Sequence, residues 1–115
     1  MDLRTVCMSF AGAEEMYPFS PDASVFKVRG KIFAIAHLSV EPQHISLKCE
    51  PELAVQLRND WDAVTAGYHL NKRHWNTVVV DGSVPDRLVR DMVEDSYDLI
   101  VSALPKRVQG ELGWP

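Results

Sequence analysis

The chain has 115 residues, 46% of them apolar and 24% charged, with a formal net charge of −4. That balance suits a soluble globular domain spanning residues 1–115, with enough chain to bury a core without staples. It excludes a bilayer-spanning segment, since no apolar run approaches about 20 residues, and it offers no general basic surplus for gripping nucleic acid, so any such contact has to come from a local patch.

The N-terminal MDLRTVCMSF lacks the sustained apolar stretch of a secretory signal. Asp2 is placed to cap a short helix carrying Leu3, Val6, Cys7 and Phe10 at helical spacing. Residues 11–24, with Pro18, Pro21 and Asp22, read as loop. VFKVRGKIFAIAHLS follows as an extended region: a strand from Val25 to Val28, a hairpin turn at Arg29-Gly30, and a second strand over residues 32–38. The near-continuous apolar character of that second strand predicts burial on both faces or a position wedged under a helix.

Glu41-Pro42-Gln43 breaks the run. HISLKC then alternates, with Ile45, Leu47 and Cys49 facing inward, and the short links predict an antiparallel meander. Pro51 suits a first helical turn, and Leu53, Ala54, Leu57 and Trp61 keep helical spacing behind it. TVVVDGS is a strand ended by Asp81-Gly82. Ser83 and Asp86 have the spacing of a capping box before a last helix with Leu88, Val89, Met92, Val93, Tyr97, Ile100 and Leu104 on one face. Pro105 is expected to stop that helix, Lys106 and Arg107 to complement its C-terminal end, and GELGWP to fray unless Trp114 docks. The predicted order is α-β-β-β-α-β-β-α, an α+β fold of two layers with helices packed on one face of an antiparallel sheet.

Chemistry concentrates in GYHLNKRHWN, residues 67–76. His69 and His74 diverge by about 140° on a helix and fall on opposite faces of a strand. His37, His44, Cys7 and Cys49 add no ligand spacing, so no metal is expected. Gly30-Lys31 lacks the rest of a phosphate loop, GxGxxG is absent, and no GxSxG elbow occurs, so neither a cofactor nor a catalytic residue is expected. Cys49 ends a strand before a helix, but its parity makes it a buried structural thiol. Two cysteines without a CxxC read as reduced thiols of a cytoplasmic protein.

The basic-aromatic mixture remains. Lys72 and Arg73 suit phosphate, Asn71 and Asn76 phosphate or base edges, and Tyr68 or Trp75 stacking, with His69 and His74 between them. The competing structural reading packs Tyr68 and Trp75 into the core with their polar tips satisfied.

FKVRGKIFAI, ISLKCEPELAVQLR, GYHLNKRHWNTVVVDGSVPD and DSYDLIVSALPKR, in that order from about Phe10 to Arg107, resemble the MmcQ/YjbR family of small bacterial proteins. YHLNKRHWNTV is its most specific block. Lys48, Tyr68, His69, Asn71, Lys72, His74, Trp75 and Asn76 match the family pattern. The resemblance implies a fold similar to secretion chaperones, with a double-wing DNA-binding motif and no established catalysis. Three readings stay open: a non-enzymatic, regulatory DNA-binding protein, a protein-interaction module using an apolar surface near Phe33 and Ile35, and a ligand or enzymatic pocket over His69, His74 and Cys49. None involves a membrane.

Overall fold

The computed structural model describes residues 1–67 and 70–115. Its elements are α1 (Leu3–Met8), β1 (Ala13–Met16), β2 (Ser24–Val28), β3 (Lys31–His37), β4 (Gln43–Lys48), α2 (Pro51–Asp60), β5 (Val64–Ala66), β6 (Trp75–Val80), α3 (Asp86–Ser102) and α4 (Lys106–Glu111). The strands form one antiparallel sheet in the order β1-β2-β3-β4-β6-β5. This is the expected α+β class, with one strand and one helix more than the sequence pattern predicted.

Register separates the two faces. Phe26, Ala34, Leu47, Asn76 and Ala66 form one cross-strand row, and Met16, Val25, Ile35, Ser46, Thr77 and Thr65 form the adjacent row. Because side chains alternate along each strand, the two rows point to opposite faces. The first row faces the helices and contributes to the main core. On the opposite face the Ser46 and Thr77 hydroxyls hydrogen-bond at 2.7 Å, and Ile32 and Ile35 are half-buried. The apolar run of β3 is therefore not buried on both faces. It reflects a bulge: Phe26 pairs with Ala34 and Lys27 with Ile32, so Phe33 is an extra residue, and Phe33 and Ala34 both enter the core.

Three local expectations are corrected. Ala13–Met16, expected to be loop, is an edge strand paired with β2. AEEM carries no apolar alternation, so its order comes from that pairing rather than from its own pattern. The Ser83–Asp86 capping box does not form. Pro85 occupies the cap position of α3 without a side-chain bond, and the Ser83 hydroxyl donates to Asp81 Oδ1 at 2.6 Å. Pro105 ends α3 but also starts α4, so Lys106 and Arg107 lie in a new helix. The carbonyls at the end of α3 are met instead by Gln109 Nε2, which lies 3.2 Å from the oxygens of Val101 and Ser102 and also 3.0 Å from that of Leu104 just beyond the helix. The C-terminal tail docks: Trp114 Nε1 donates to Asp98 Oδ1 at 2.9 Å.

α3 supplies most of the helical side of the core. Tyr97 stacks on Phe10 with ring centroids 4.8 Å apart and meets Phe33 edge-on at 5.4 Å. Its hydroxyl donates to the Ala11 carbonyl at 2.7 Å. Ser96 is 0% exposed. It donates to the Phe33 carbonyl at 2.6 Å and accepts from the Lys48 backbone N–H at 2.9 Å.

Strand directions place two hairpin tips at one end of the sheet. Arg29 and Gly30 link β2 to β3, both with positive φ, 48° and 80°, the signature of a two-residue turn in which glycine removes half the strain. At the same end Lys48 pairs with Trp75 and Ala66 with Asn76, so the β5–β6 connection also lies there. Three strand spacings, about 14 Å, separate the tips.

Replacing Ser96 with alanine leaves two buried backbone groups without partners. Ser96→Ala is expected to lower stability by about 2–6 kcal/mol, at about 1–3 kcal/mol for each of the two orphaned groups. Urea denaturation measures this, and a loss below about 0.5 kcal/mol would contradict the bridging role.

Candidate nucleic-acid interface

The β5–β6 connection is built around Gly67 and Asn71. The Gly67 N–H donates to the Trp75 carbonyl at 2.9 Å. A Cβ at Gly67 would meet Trp75 Cβ at 3.0 Å and Leu70 Cβ at 3.2 Å, so a side chain there would pry the hairpin open. The Asn71 carbonyl accepts from the N–H groups of His74 at 3.1 Å and Trp75 at 2.9 Å. Its side-chain Oδ1 accepts from the Arg73 N–H at 3.0 Å. Asn71 thus folds the turn and leaves Lys72 and Arg73 exposed at its tip.

The expected site residues divide. Asn71, Lys72 and Arg73 share the exposed tip. His74 is half-buried, and its carbonyl accepts from the Cys49 N–H at 2.7 Å. Trp75 is also half-buried and pairs with Lys48 on the face away from the helices. Tyr68 and His69 lie outside the described residues.

Asn76 is a correction. It is 2% exposed, with Nδ2 donating to the Ala54 carbonyl at 3.2 Å and Oδ1 accepting from Arg58 Nη1 at 2.7 Å. Its amide is consumed in fastening α2 to β6 and is not available to phosphate or a base edge.

Arg58 is the residue sequence reasoning missed. It lies in the last turn of α2, and with Lys72 and Arg73 it lines an open depression of about 640 Å³ that also includes Pro51, Val55 and Glu52. The available signal was the helical spacing that brings Arg58 to the C-terminal end of α2, one short strand before the hairpin. Three cations against one carboxylate make this depression locally basic on a chain that is acidic as a whole.

Other candidates resolve differently. Phe33, expected on an exposed apolar surface, is fully buried. The prominent exposed aromatics are Tyr17 and Phe19, 50% and 67% exposed, between β1 and β2. Both cysteines are free and buried. Burial pushes the Cys7 thiol up to about 12. Burial, reinforced by Asp95 and Glu50, also raises Cys49, so both thiols are held neutral and unreactive. Cys49 lines a groove with Asp95, Asp98 and Trp114, and His74 is not among the residues lining it.

His37 and His44, unrelated by sequence spacing, are cross-strand partners. Their rings stack with centroids 4.4 Å apart, and His37 Nδ1 is buried without a hydrogen-bond partner. Among the described residues no three His, Cys, Asp or Glu side chains gather as a metal site, and no helix is long and apolar enough to cross a membrane.

The architecture defines an α+β protein with helices on one face of a six-stranded antiparallel sheet and a basic hairpin at the sheet end. Comparison with known proteins is specific. The family model described as YjbR matches residues 8–99, and the chain belongs to the YjbR family. It is 38% identical over 105 residues to the uncharacterised protein YjbR of Escherichia coli (strain K12), covering 91% of this chain and 89% of that one. It is 35% identical over 96 residues to the uncharacterised protein YbdF of Escherichia coli O157:H7, covering 84% and 79%. Among solved structures, Deinococcus radiodurans protein DR2400, of the DUF419 domain family, superposes with a TM-score of 0.93 at 37% identity over 99% of this chain and 87% of that one. A Pseudomonas syringae protein superposes with a TM-score of 0.71 at 25% identity over 86% and 98%.

Two outcomes follow. Asn76→Ala should cost about 2–3 kcal/mol in urea denaturation, because it removes both bonds that tie β6 to α2, one of them to the charged Arg58 guanidinium; a change within about 0.5 kcal/mol would refute the fastening role. His44 has its pKa lowered by burial and then by the neighbouring His37. The unfolded chain therefore holds this proton more tightly than the folded one. The His44 contribution is complete above its ordinary pKa and is lost as pH falls through the lowered folded-state value. Thermal unfolding from neutral to mildly acidic pH should show this decline, and His44→Gln should flatten it.

Proposed function

We propose that this chain is a non-enzymatic DNA-binding protein that contacts phosphate through the tip of the β5–β6 hairpin. The observation that carries the reading is the exposure of Lys72 and Arg73 side by side, with Arg58 across the same open depression. A backbone phosphate needs cationic donors that can reach it without unfolding their own surroundings, and Asn71 holds this pair outward at no cost in core packing.

The second hairpin supports the same assignment. Its tip lies at the same end of the sheet and carries Arg29 and the exposed Lys31. Arg29 is engaged by Glu111 at 3.0 Å, which leaves Lys31 as its free cation among the described residues. Two basic tips about 14 Å apart form a pair of wings able to reach separate phosphates of one duplex. Within the GYHLNKRHWN stretch the roles differ: Lys72 and Arg73 contact phosphate, Asn71 shapes the tip, and Trp75 offers an aromatic surface beside Lys48. His74 stands half-buried next to this tip, and the stacking and contact roles expected of Tyr68 and His69 fall outside the described residues.

The net charge of −4 makes affinity modest and strongly dependent on salt. A short fluorescent duplex titrated at low salt should bind. The double variant Lys72→Ala/Arg73→Ala should weaken binding at least about tenfold and lower the log–log salt slope by about 2, one for each lost phosphate contact. Absence of binding to both duplex and single-stranded DNA at low salt would end this reading.

A further inference from the structure

We propose that the depression between α2 and the β5–β6 hairpin holds one unpaired nucleotide of a DNA strand, its phosphate on the cations and its base against the apolar wall. This inference rests on the phosphate contacts proposed above and narrows their class to DNA that offers an unpaired base.

The lining is divided along α2. Arg58 stands in the last turn, and its Nη1 lies 3.5 Å from the Lys72 carbonyl, so this end of the depression meets the hairpin tip. Pro51 and Glu52 stand in the first turn, about 10 Å away along the axis. Val55 lies between the two ends and lines the same depression. It is 48% exposed. Ala54 and Leu57 are the residues that hold α2 to the core, so Val55 contributes little to the fold and leaves an apolar surface beside three cations.

Charge and shape together select the occupant. An intact duplex satisfies only the cations, because its bases stay stacked and paired inside the helix. An unpaired nucleotide brings an anion and a flat, largely apolar face in one unit. The depression, about 640 Å³, falls within the range of roughly 300–1,000 Å³ that holds small ligands. Glu52 sets the direction of the nucleotide. Its carboxylate repels phosphate, so the anion sits at the Arg58 end and the base lies toward Pro51 and Val55.

The guanidinium of Arg58 is already oriented for this contact. Asn76 Oδ1 accepts from Nη1 at 2.7 Å, and among the described residues the hydrogen bonds of Arg58 use Nη1 alone. Nε and Nη2 remain for a phosphate, whose oxygens suit the planar fork of donors. Trp75 does not share the site. It pairs with Lys48 on the face of the sheet away from the helices and is not among the residues lining the depression, so stacking on its ring would not depend on Val55.

The test uses the intact chain and three fluorescent probes of equal strand length: an oligothymidine, the same strand made abasic throughout, and a blunt duplex. Anisotropy at low salt should show the oligothymidine binding at least about fivefold more tightly than the abasic strand, which carries the same phosphates. Val55→Ser, at an exposed helix position, should weaken the oligothymidine at least about threefold and leave the abasic strand, the duplex and the thermal midpoint unchanged. Lys72→Ala/Arg73→Ala should weaken all three probes. Equal affinity for the oligothymidine and the abasic strand, or an undiminished preference in Val55→Ser, would overturn the proposal and leave the phosphate reading standing. Binding of none of the three probes would remove both.

Discussion

One hydroxyl group sets how the helical layer meets the sheet. Pairing between β3 and β4 begins at Ala34↔Leu47, because the bulge at Phe33 takes the preceding residue out of the ladder. The Phe33 carbonyl and the Lys48 N–H would then be buried polar groups with no partner, and a close-packed core does not tolerate such groups cheaply. The Ser96 hydroxyl satisfies both. It acts as a one-atom extension of the ladder, supplied by a helix. With the two strands allowed to diverge there, β4 continues against the partner on its other side, and the Cys49 N–H bonds the His74 carbonyl. The chain then enters α2 at Pro51, directly beside the β5–β6 connection.

That placement matters because α2 is lightly anchored. Of its ten residues only Ala54 and Leu57 are buried, which is little apolar area to hold a helix against a sheet. The amide of Asn76 supplements it, reaching the Ala54 carbonyl with one end and the Arg58 guanidinium with the other. Arg58 is thereby held in one orientation while still lining the basic depression. A cation fixed in this way has already lost its side-chain entropy, so contact with an anion costs less than it would for a free arginine. The fold-fastening and charge-presenting roles are joined in one pair of side chains.

Much of this was legible in the sequence. The alternation of Ile45, Leu47 and Cys49 placed β4 and its inward face correctly, and the spacing of Val89, Met92, Val93 and Tyr97 identified the core face of α3. What escaped detection was whatever depends on a partner distant in the chain. Ser96 sits on an apolar stripe as a polar residue, and nothing local shows that it serves two strands. AEEM has no pattern of its own and is ordered only by β2. Asn76 lies beside lysine, arginine and histidine and so reads as a contact residue, yet the strand parity that turns Trp75 outward turns Asn76 inward. The same period-two rule, applied one residue further from the well-defined strand Thr77–Val80, would have separated the two. The His37–His44 stack was hidden for a related reason: no spacing rule links residues across a loop until the register is known.

Two surfaces of opposite charge meet at α2. Leu53 and Val55 are about 200° apart around the helix axis, so the acidic groove and the basic depression occupy opposite sides of one helix. A helix is about 10 Å across, close to the Debye length of about 8 Å at physiological ionic strength. In cell-like salt the field of each surface therefore falls to roughly a third across the helix, and the overall charge of −4 is a poor guide to what Lys72 and Arg73 attract. As salt is lowered the screening length grows past the width of α2, and the carboxylates of Glu50, Asp95 and Asp98 begin to subtract from the field at the hairpin. For the phosphate contacts proposed here, this subtraction bends the salt dependence: the gain in affinity on dilution flattens sooner than a purely basic surface with the same number of cations would allow.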